Sequence, residues 1–294
     1  MAAEFMSKNL PLIAIVGPTA SGKTSLAIRL AKKFGGEIIC ADSRTVYKGL
    51  DIGTAKPTIY EQSNVPHWGL DLLDPDERFT AADFKQYALE KISEIRSRGH
   101  VPFLVGGTGL YIDAVIFDFQ FEGNVDMELR NNLEYQSIEE LQKYCKENNI
   151  ILPENKNNKR HLINNIQRKS ISNKTKNDII NNLYVVGIAT NKQTLRIKIE
   201  HRIEQIFSNN VVEEAILLGK KYGWSNQALT GNVYPLIHKY LVDELDQVEL
   251  TKRCILSDVH LAKRQMTWFR GNPYIVWGTI DVTEHYLLSI LENL

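Results

Sequence analysis

Residues 10–24 read LPLIAIVGPTASGKT, and the reading of the whole fold turns on them. The first half is a compact apolar run ending in glycine, which suits a strand buried in a parallel sheet. The second half, Gly17-Pro18-Thr19-Ala20-Ser21-Gly22-Lys23-Thr24, meets the G-x-x-x-x-G-K-[ST] pattern in full. In such a turn successive backbone N–H groups point at phosphate oxygens. The helix that follows adds its positive end, Lys23 adds a full charge, and Thr24 adds a hydroxyl suited to Mg2+. Leu26, Ala27, Leu30, Ala31 and Phe34 then recur at helical spacing, and Gly35-Gly36 is a natural stop.

Outward from this unit the pattern repeats. EIICADS reads as a second buried strand that delivers Asp42 at its carboxyl end. Thr80 with Asp83 resembles a capping box and opens a helix carrying Phe84, Ala88, Ile92 and Ile95 on its apolar face. VPFLVGG is a third strand, with TGLYIDAVIF starting a helix directly behind it. Strand–loop–helix units in this order predict a P-loop α/β fold, a doubly wound parallel sheet with ligands at the carboxyl ends of its strands.

The character changes after Phe121. Ser137 and Glu140 signal another capped helix, and residues 153–182 are rich in Asn and Lys, either compositional bias on solvated helices and loops or a binding surface. LYVVGIAT reads as a strand rejoining the sheet. Beyond it the chain is read as helical, with Leu195, Ile199, Ile203 and Ile206 on one helix and Ile255, Val259, Ala262, Met266 and Phe269 on another. The expected organisation is a first part of the core over 7–120, a helical insertion over 121–183 and a helical return over 184–294.

Bulk properties bound the function. The formal net charge is zero, so any surface for nucleic acid must be local. The 3 cysteines, Cys40, Cys145 and Cys254, are far apart with no CxxC pair, which argues against a disulfide framework or a zinc site and fits a reducing cytoplasm. No apolar run approaches a membrane span, the first ten residues lack the apolar core of a signal peptide, and Met6 is a candidate start. Nothing in the chain calls for an obligate dimer, and a monomer is expected.

A nucleotide hydrolase usually holds Mg2+ with an acid at the end of a second apolar strand. Here that strand ends in Gly106-Gly107-Thr108. The nearest carboxylate in logic is Asp42, which faces bound phosphates in such a sheet and is placed to take a proton from an incoming nucleophile. A helix cap or an outer Mg2+ contact is the plainer role for it. Gly106, Gly107 and Gly109 suit a tight turn, and one that faces a ligand. Phe269 falls on an apolar stripe and reads as core; Trp268 does not, and Lys263, Arg264 and Arg270 surround it. That grouping suits RNA or a solvated helix end. His67 carries no expected chemistry.

Taken together, GPTASGKT, ADSRTVYKGLDIGTAKPT, LVGGTGLYI and KRQMTWFRGNP resemble, in order and approximate spacing, the motifs of bacterial tRNA dimethylallyltransferases. VPHWGLDLLDP and FTAADFKQYA are weaker echoes of the same family. The resemblance spans almost the whole chain. It implies prenylation of the adenine at tRNA position 37, with the loop holding the diphosphate of dimethylallyl diphosphate rather than ATP. Gly17 to Thr24 and Arg202 would then bind diphosphate, with Thr24 on Mg2+. Lys23 would stabilise the leaving group, Asp42 would take the amine proton, and Thr108 would sit at the bond being made. Asp42, Ser43, Arg44, Thr45 and Thr108 would meet the target base, while Arg160, Lys263, Arg264, Trp268 and Arg270 would grip the anticodon stem-loop.

The chain departs from the family at several points. Thr45 stands where Gln is common, Asn164 and Gln167 where Arg and Glu are expected, and Lys198 where an arginine pairs with Arg202. VYPL around Tyr234 replaces Gly-Tyr-Lys-Glu. An isopentenyltransferase of free adenine nucleotide shares the chemistry but has little use for the insertion. A small-molecule kinase would bind ATP, and a drifted RNA-binding protein would lack donor turnover.

Overall fold

The computed structural model describes residues 10–121, 127–153, 155–169, 179–231 and 233–294. Six strands form one sheet: β1 (Leu12–Val16), β2 (Gly36–Ala41), β3 (His67–Trp68), β4 (Val101–Gly106), β5 (Leu183–Ile188) and β6 (Val276–Gly278). They lie in the order β3-β2-β4-β1-β5-β6 and every pairing is parallel. Every residue of β1 is fully buried, as an apolar run covered on both faces requires. Ile13 and Ile15 join Ile38, Phe103, Val186 and Ile188 in one core, covered by α1 (Lys23–Phe34) and by a helix at 280–291.

Register places the site. Val16 is aligned with Gly106 and with Gly187, and Ala41 is aligned with Gly106. The carboxyl ends of β1, β2 and β4 are therefore level, and the segments leaving them share one edge.

The remaining helices are α2 (Ile59–Asn64), α3 (Ala81–Ser97), α4 (Gly109–Ile116), α5 (Met127–Glu134), α6 (Ile138–Glu147), α7 (Lys159–Lys169), α8 (Lys192–Ser208), α9 (Val211–Tyr222), α10 (Tyr234–Leu241), α11 (Gln247–Arg270) and α12 (Ile280–Leu291). Thr80–Asp83 and Ser137–Glu140 are capping boxes, as their spacing predicts, and Thr58–Glu61 is a further one at α2. Gly35 caps α1 in the left-handed conformation. On α8, Ile199, Ile203 and Ile206 pack with Val46, Leu50, Tyr234, Cys254 and Ala262 in a second core built of helices and the segment after β2. Phe269 is core, as expected. The edge strand β6 corrects the reading of 184–294 as helical after its first strand, and β3 is a further edge strand that sequence reading passed over. With two and three residues they are too short to carry a period.

The chain divides into two compact units, Met1–Ile116 with Ile179–Leu294, and Phe117–Asp178. The second is a helical cluster around Leu133, Leu141, Cys145, Leu162, Ile163 and Ile166. Its Arg130 donates to Asn164 Oδ1 at 3.2 Å and to Gln167 Oε1 at 2.7 Å, so these two departures from the family pattern hold α5 to α7. Arg160 lies in the first turn of α7. Residues 170–178 of the Asn- and Lys-rich stretch lie outside the described residues.

Candidate active site

The phosphate loop is set by backbone conformations that few residue types accept. Gly17 has φ 145°, Ala20 58° and Gly22 94°. Gly22 is the N-cap of α1 and supplies no side-chain cap, which leaves the first amides of a 12-residue helix open to an anion. Lys23 Nζ donates to Pro18 O at 2.6 Å, folding the ammonium back over the loop. Burial lowers its pKa to about 8, with Asp42 pulling it up and Arg202 pushing it further down. An anion in the loop restores what burial removes.

Arg202 reaches the loop from α8. Its guanidinium donates to Thr19 Oγ1 at 2.7 Å, to Thr54 O at 3.0 Å and to Asp258 Oδ2 at 2.6 Å. Asp258 is buried on α11 and aims the guanidinium. A buried pair of this kind is better evidence for fixed geometry than for stability. Sequence reading passed over Asp258, although a carboxylate in line with Cys254 and Ala262 on an apolar stripe is a visible signal. It also passed over Thr54 and Glu214. One carboxylate, Glu214, accepts from the N–H groups of Asp51, Ile52 and Gly53 at 3.0, 2.7 and 2.9 Å and from the Tyr234 hydroxyl at 2.8 Å. Burial and that carboxylate hold the Tyr234 hydroxyl far above its usual pKa. The clamp fixes the segment that presents Thr54 O to Arg202. Lys56, buried beneath it, bonds Asp51, Asp71 and the carbonyl of Tyr47.

Opposite the loop stands the turn after β4. Thr108 N–H donates to Ala41 O at 3.2 Å, and Thr108 Oγ1 accepts from Ser43 N–H at 3.0 Å. Asp42 Oδ1 accepts from Arg44 N–H at 2.8 Å, a local turn that leaves Oδ2 without a hydrogen bond among the described residues. Thr19, Ala20, Gly22, Lys23, Thr24, Asp42, Ser43, Arg44, Thr45, Thr108, Arg202 and Arg264 all line one cavity of about 590 Å3. Most of the expected donor and base-facing residues are thus brought together; Gly17, Pro18 and the buried Ser21 belong to the loop but do not line the cavity.

The three glycines of the turn answer to their neighbours more than to turn geometry. A Cβ on Gly106 would lie 2.1 Å from Ala41 O, on Gly107 2.2 Å from Gln265 Nε2, and on Gly109 2.2 Å from Trp268 Cδ1. Trp268 is 47 % exposed, yet its Nε1 donates to Asp113 Oδ2 at 2.9 Å and its ring covers Gly109, so it is neither core nor a free helix end. Lys263 and Arg270 are exposed on α11 and do not line the cavity.

Two expected base contacts are engaged otherwise. The Arg44 guanidinium donates to the carbonyls of Gln227 and Ala228 and to Thr230 Oγ1, tethering the 3-10 turn Gln227–Thr230. Thr45 is only 5 % exposed and its Oγ1 is covered, without a hydrogen-bond partner. Its carbonyl accepts from Asp71 N–H at 3.2 Å, so Thr45 is part of the cavity wall with its hydroxyl covered rather than the open contact expected there. His67 Nδ1–H donates to Val65 O, 2.7 Å away, and burial lowers its pKa; it takes no part in the cavity.

Comparison with known proteins agrees with this geometry. The IPP transferase family matches residues 45–272, and an isopentenyl transferase family matches residues 10–70. A tRNA dimethylallyltransferase of Desulfitobacterium hafniense is 37 % identical over 97 % of this chain and 96 % of its own. One from Acetivibrio thermocellus is 38 % identical over 92 % of each. The full-length tRNA isopentenylpyrophosphate transferase of Bacillus halodurans superposes with a TM-score of 0.73 at 33 % identity, covering 96 % of this chain and 97 % of that one. A family match over most of the chain, relatives alike from end to end and a shared fold lead to one conclusion: the chain belongs to the IPP transferase family.

Proposed function

We propose that the protein transfers a dimethylallyl group from dimethylallyl diphosphate to the exocyclic amine of adenine 37 in a tRNA anticodon stem-loop, releasing diphosphate. The observation that carries this reading is the single cavity shared by a phosphate loop and by Asp42 with Thr108, with a glycine turn where a hydrolase would hold its acid.

The loop amides, the open end of α1, Lys23 and Arg202 cradle the diphosphate and stabilise the charge that develops as the allylic C–O bond breaks. Mg2+ fits this site as a substrate-borne ion: Thr24 offers one hard oxygen at the cavity, and no group of three or more His, Cys, Asp or Glu forms a cage among the described residues. Bound through Thr24 and diphosphate oxygens, it would neutralise leaving-group charge. Asp42 Oδ2 takes the proton of the attacking amine while Oδ1 stays tied to Arg44 N–H. Thr108 is held beside it through Ser43. The target base leaves its stack to enter, as in other base-modifying enzymes. Lys263, Arg264, Arg270 and the exposed face of Trp268 grip phosphates and bases around it, and Arg160 of the helical insertion is a further expected tRNA contact. Three buried free cysteines suit work in the reducing cytoplasm.

The experiment is a transfer assay with labelled dimethylallyl diphosphate and Mg2+, offering an anticodon stem-loop and AMP as acceptors. Label in the stem-loop alone is expected. Label in AMP alone moves the protein to free nucleotides, and RNA binding without label in either acceptor reduces it to a binding protein.

A further inference from the structure

α11 touches the site through one stripe. Asp258 aims Arg202, Trp268 lies against Gly109, and between them Gln265 faces the cavity. Gln265 Oε1 accepts from Thr19 N–H at 2.8 Å and Gln265 Nε2 donates to Gly107 O at 3.1 Å. The orientation of the amide is fixed by its partners, since an N–H must meet oxygen and a carbonyl must meet nitrogen.

Both partners are main-chain groups, one in the phosphate loop and the other directly before Thr108. Thr108 in turn holds Ser43 N–H, next to Asp42. From these contacts we infer that Gln265 is a positioning residue that sets the distance between the leaving-group loop and the acceptor turn, an inference that rests on the transferase reading. A planar amide is rigid end to end, so it works as a spacer between two backbones rather than as one more polar contact. The close approach at Gly107 is the counterpart of that role: a side chain there would collide with Gln265 Nε2, and glycine is what lets the spacer seat. Gln265 touches neither the allylic carbon nor the amine in this account. It acts through Thr19 and Thr108.

Gln265→Met keeps length and volume but removes both bonds. It is expected to lower kcat by about 10- to 100-fold, the scale of an ångström misplacement. The KM for dimethylallyl diphosphate and the affinity for inorganic diphosphate stay within about threefold, because Lys23, Arg202 and the amides at the open end of α1 are untouched and only Thr19 N–H loses its partner. Gln265→Asn, too short to span both partners, falls alongside it and serves if the Met variant does not fold. Gly107→Ala alone lowers kcat, yet adds less than about twofold on a Gln265→Ala background, since the collision partner has gone. A kcat for Gln265→Met or Gln265→Asn within about threefold of wild type overturns the proposal, as does full additivity of Gly107→Ala with Gln265→Ala. A wild-type protein without transfer overturns the transferase reading instead, and the spacer is then tested by amide hydrogen exchange with inorganic diphosphate. Slowed exchange over 106–109 in wild type but not in Gln265→Met supports it. Slowing absent from wild type, or equal in both proteins, overturns it.

Discussion

The two walls of the cavity are made in opposite ways. The phosphate loop is local: its shape comes from Gly17, Ala20 and Gly22, its charge from Lys23, and its dipole from the helix that begins within it. The acceptor wall is assembled from distant pieces. Asp42 comes from the end of β2, Thr108 from the end of β4, and their fit depends on Gln265 and Trp268 of α11. A local device is self-sufficient and survives divergence around it. An assembled one can keep its key residues and still lose its geometry, so substitutions on the two sides should fail differently.

The largest effect is expected on the local side. Lys23→Met removes the only full charge within the loop, and kcat/KM should fall by about 10^3-fold or more, as for loss of a strong electrostatic stabiliser. Steady-state kinetics with a stem-loop acceptor would check it, and a loss below tenfold would mean the loop does not cradle the leaving group. Arg202→Lys keeps charge but not the fork that spans Thr19, Thr54 and Asp258. Its donor KM should rise about tenfold with kcat falling less, since lysine still offers a cation.

Among the contacts that join distant pieces behind the donor side, Glu214→Gln should act mainly through stability. A charge-assisted acceptor of three backbone N–H groups becomes a neutral one, at a cost of about 1–3 kcal/mol. A lowered Tm with a modest rise in donor KM is the expected pair of readings. A normal Tm would show that the 51–54 segment stands without its clamp.

The smallest effect concerns pH. Lys23 is depressed from 10.5 to about 8, so both the folded and unfolded chains carry its proton below pH 8. Between about 8 and 10.5 the unfolded chain alone keeps it, and this group's contribution to stability rises with pH there. Diphosphate affinity runs the other way and should fall as pH passes about 8, where the loop's cation is lost. Lys23→Arg should move that fall beyond pH 10. An unchanged profile in the Arg variant would assign it to diphosphate's own titration.

The same contrast decides what could be read from the chain. The loop, the strands at 12–16, 36–41 and 101–106, and the capping boxes at Thr80 and Ser137 are written in contiguous residues, and all stand where their spacing puts them. The strands at 67–68 and 276–278 gain their identity only by pairing at the sheet's edges. Gly107 and Gly109 were legible as glycines but not as seats for Gln265 and Trp268, partners more than 150 residues away. Arg44 and Thr45 follow Asp42 so closely that they read as site residues. Yet one is spent on a tether to residues 227–230 and the other is buried in the wall, where its carbonyl bonds Asp71 N–H, contacts made to residues distant in sequence. Asn164 and Gln167 looked like losses of RNA contacts and turn out to be the partners of Arg130.

The central claim is a division of labour between a leaving-group cradle and a proton acceptor, and Asp42→Ala tests it most directly. Single-turnover transfer to a stem-loop is measured beside the affinity for inorganic diphosphate on the same protein. The account predicts transfer lowered by about 10^3-fold or more with diphosphate affinity equal to wild type or slightly higher, since a carboxylate has left the neighbourhood of the anion. Near-normal transfer, or equal loss of transfer and diphosphate binding, would contradict it.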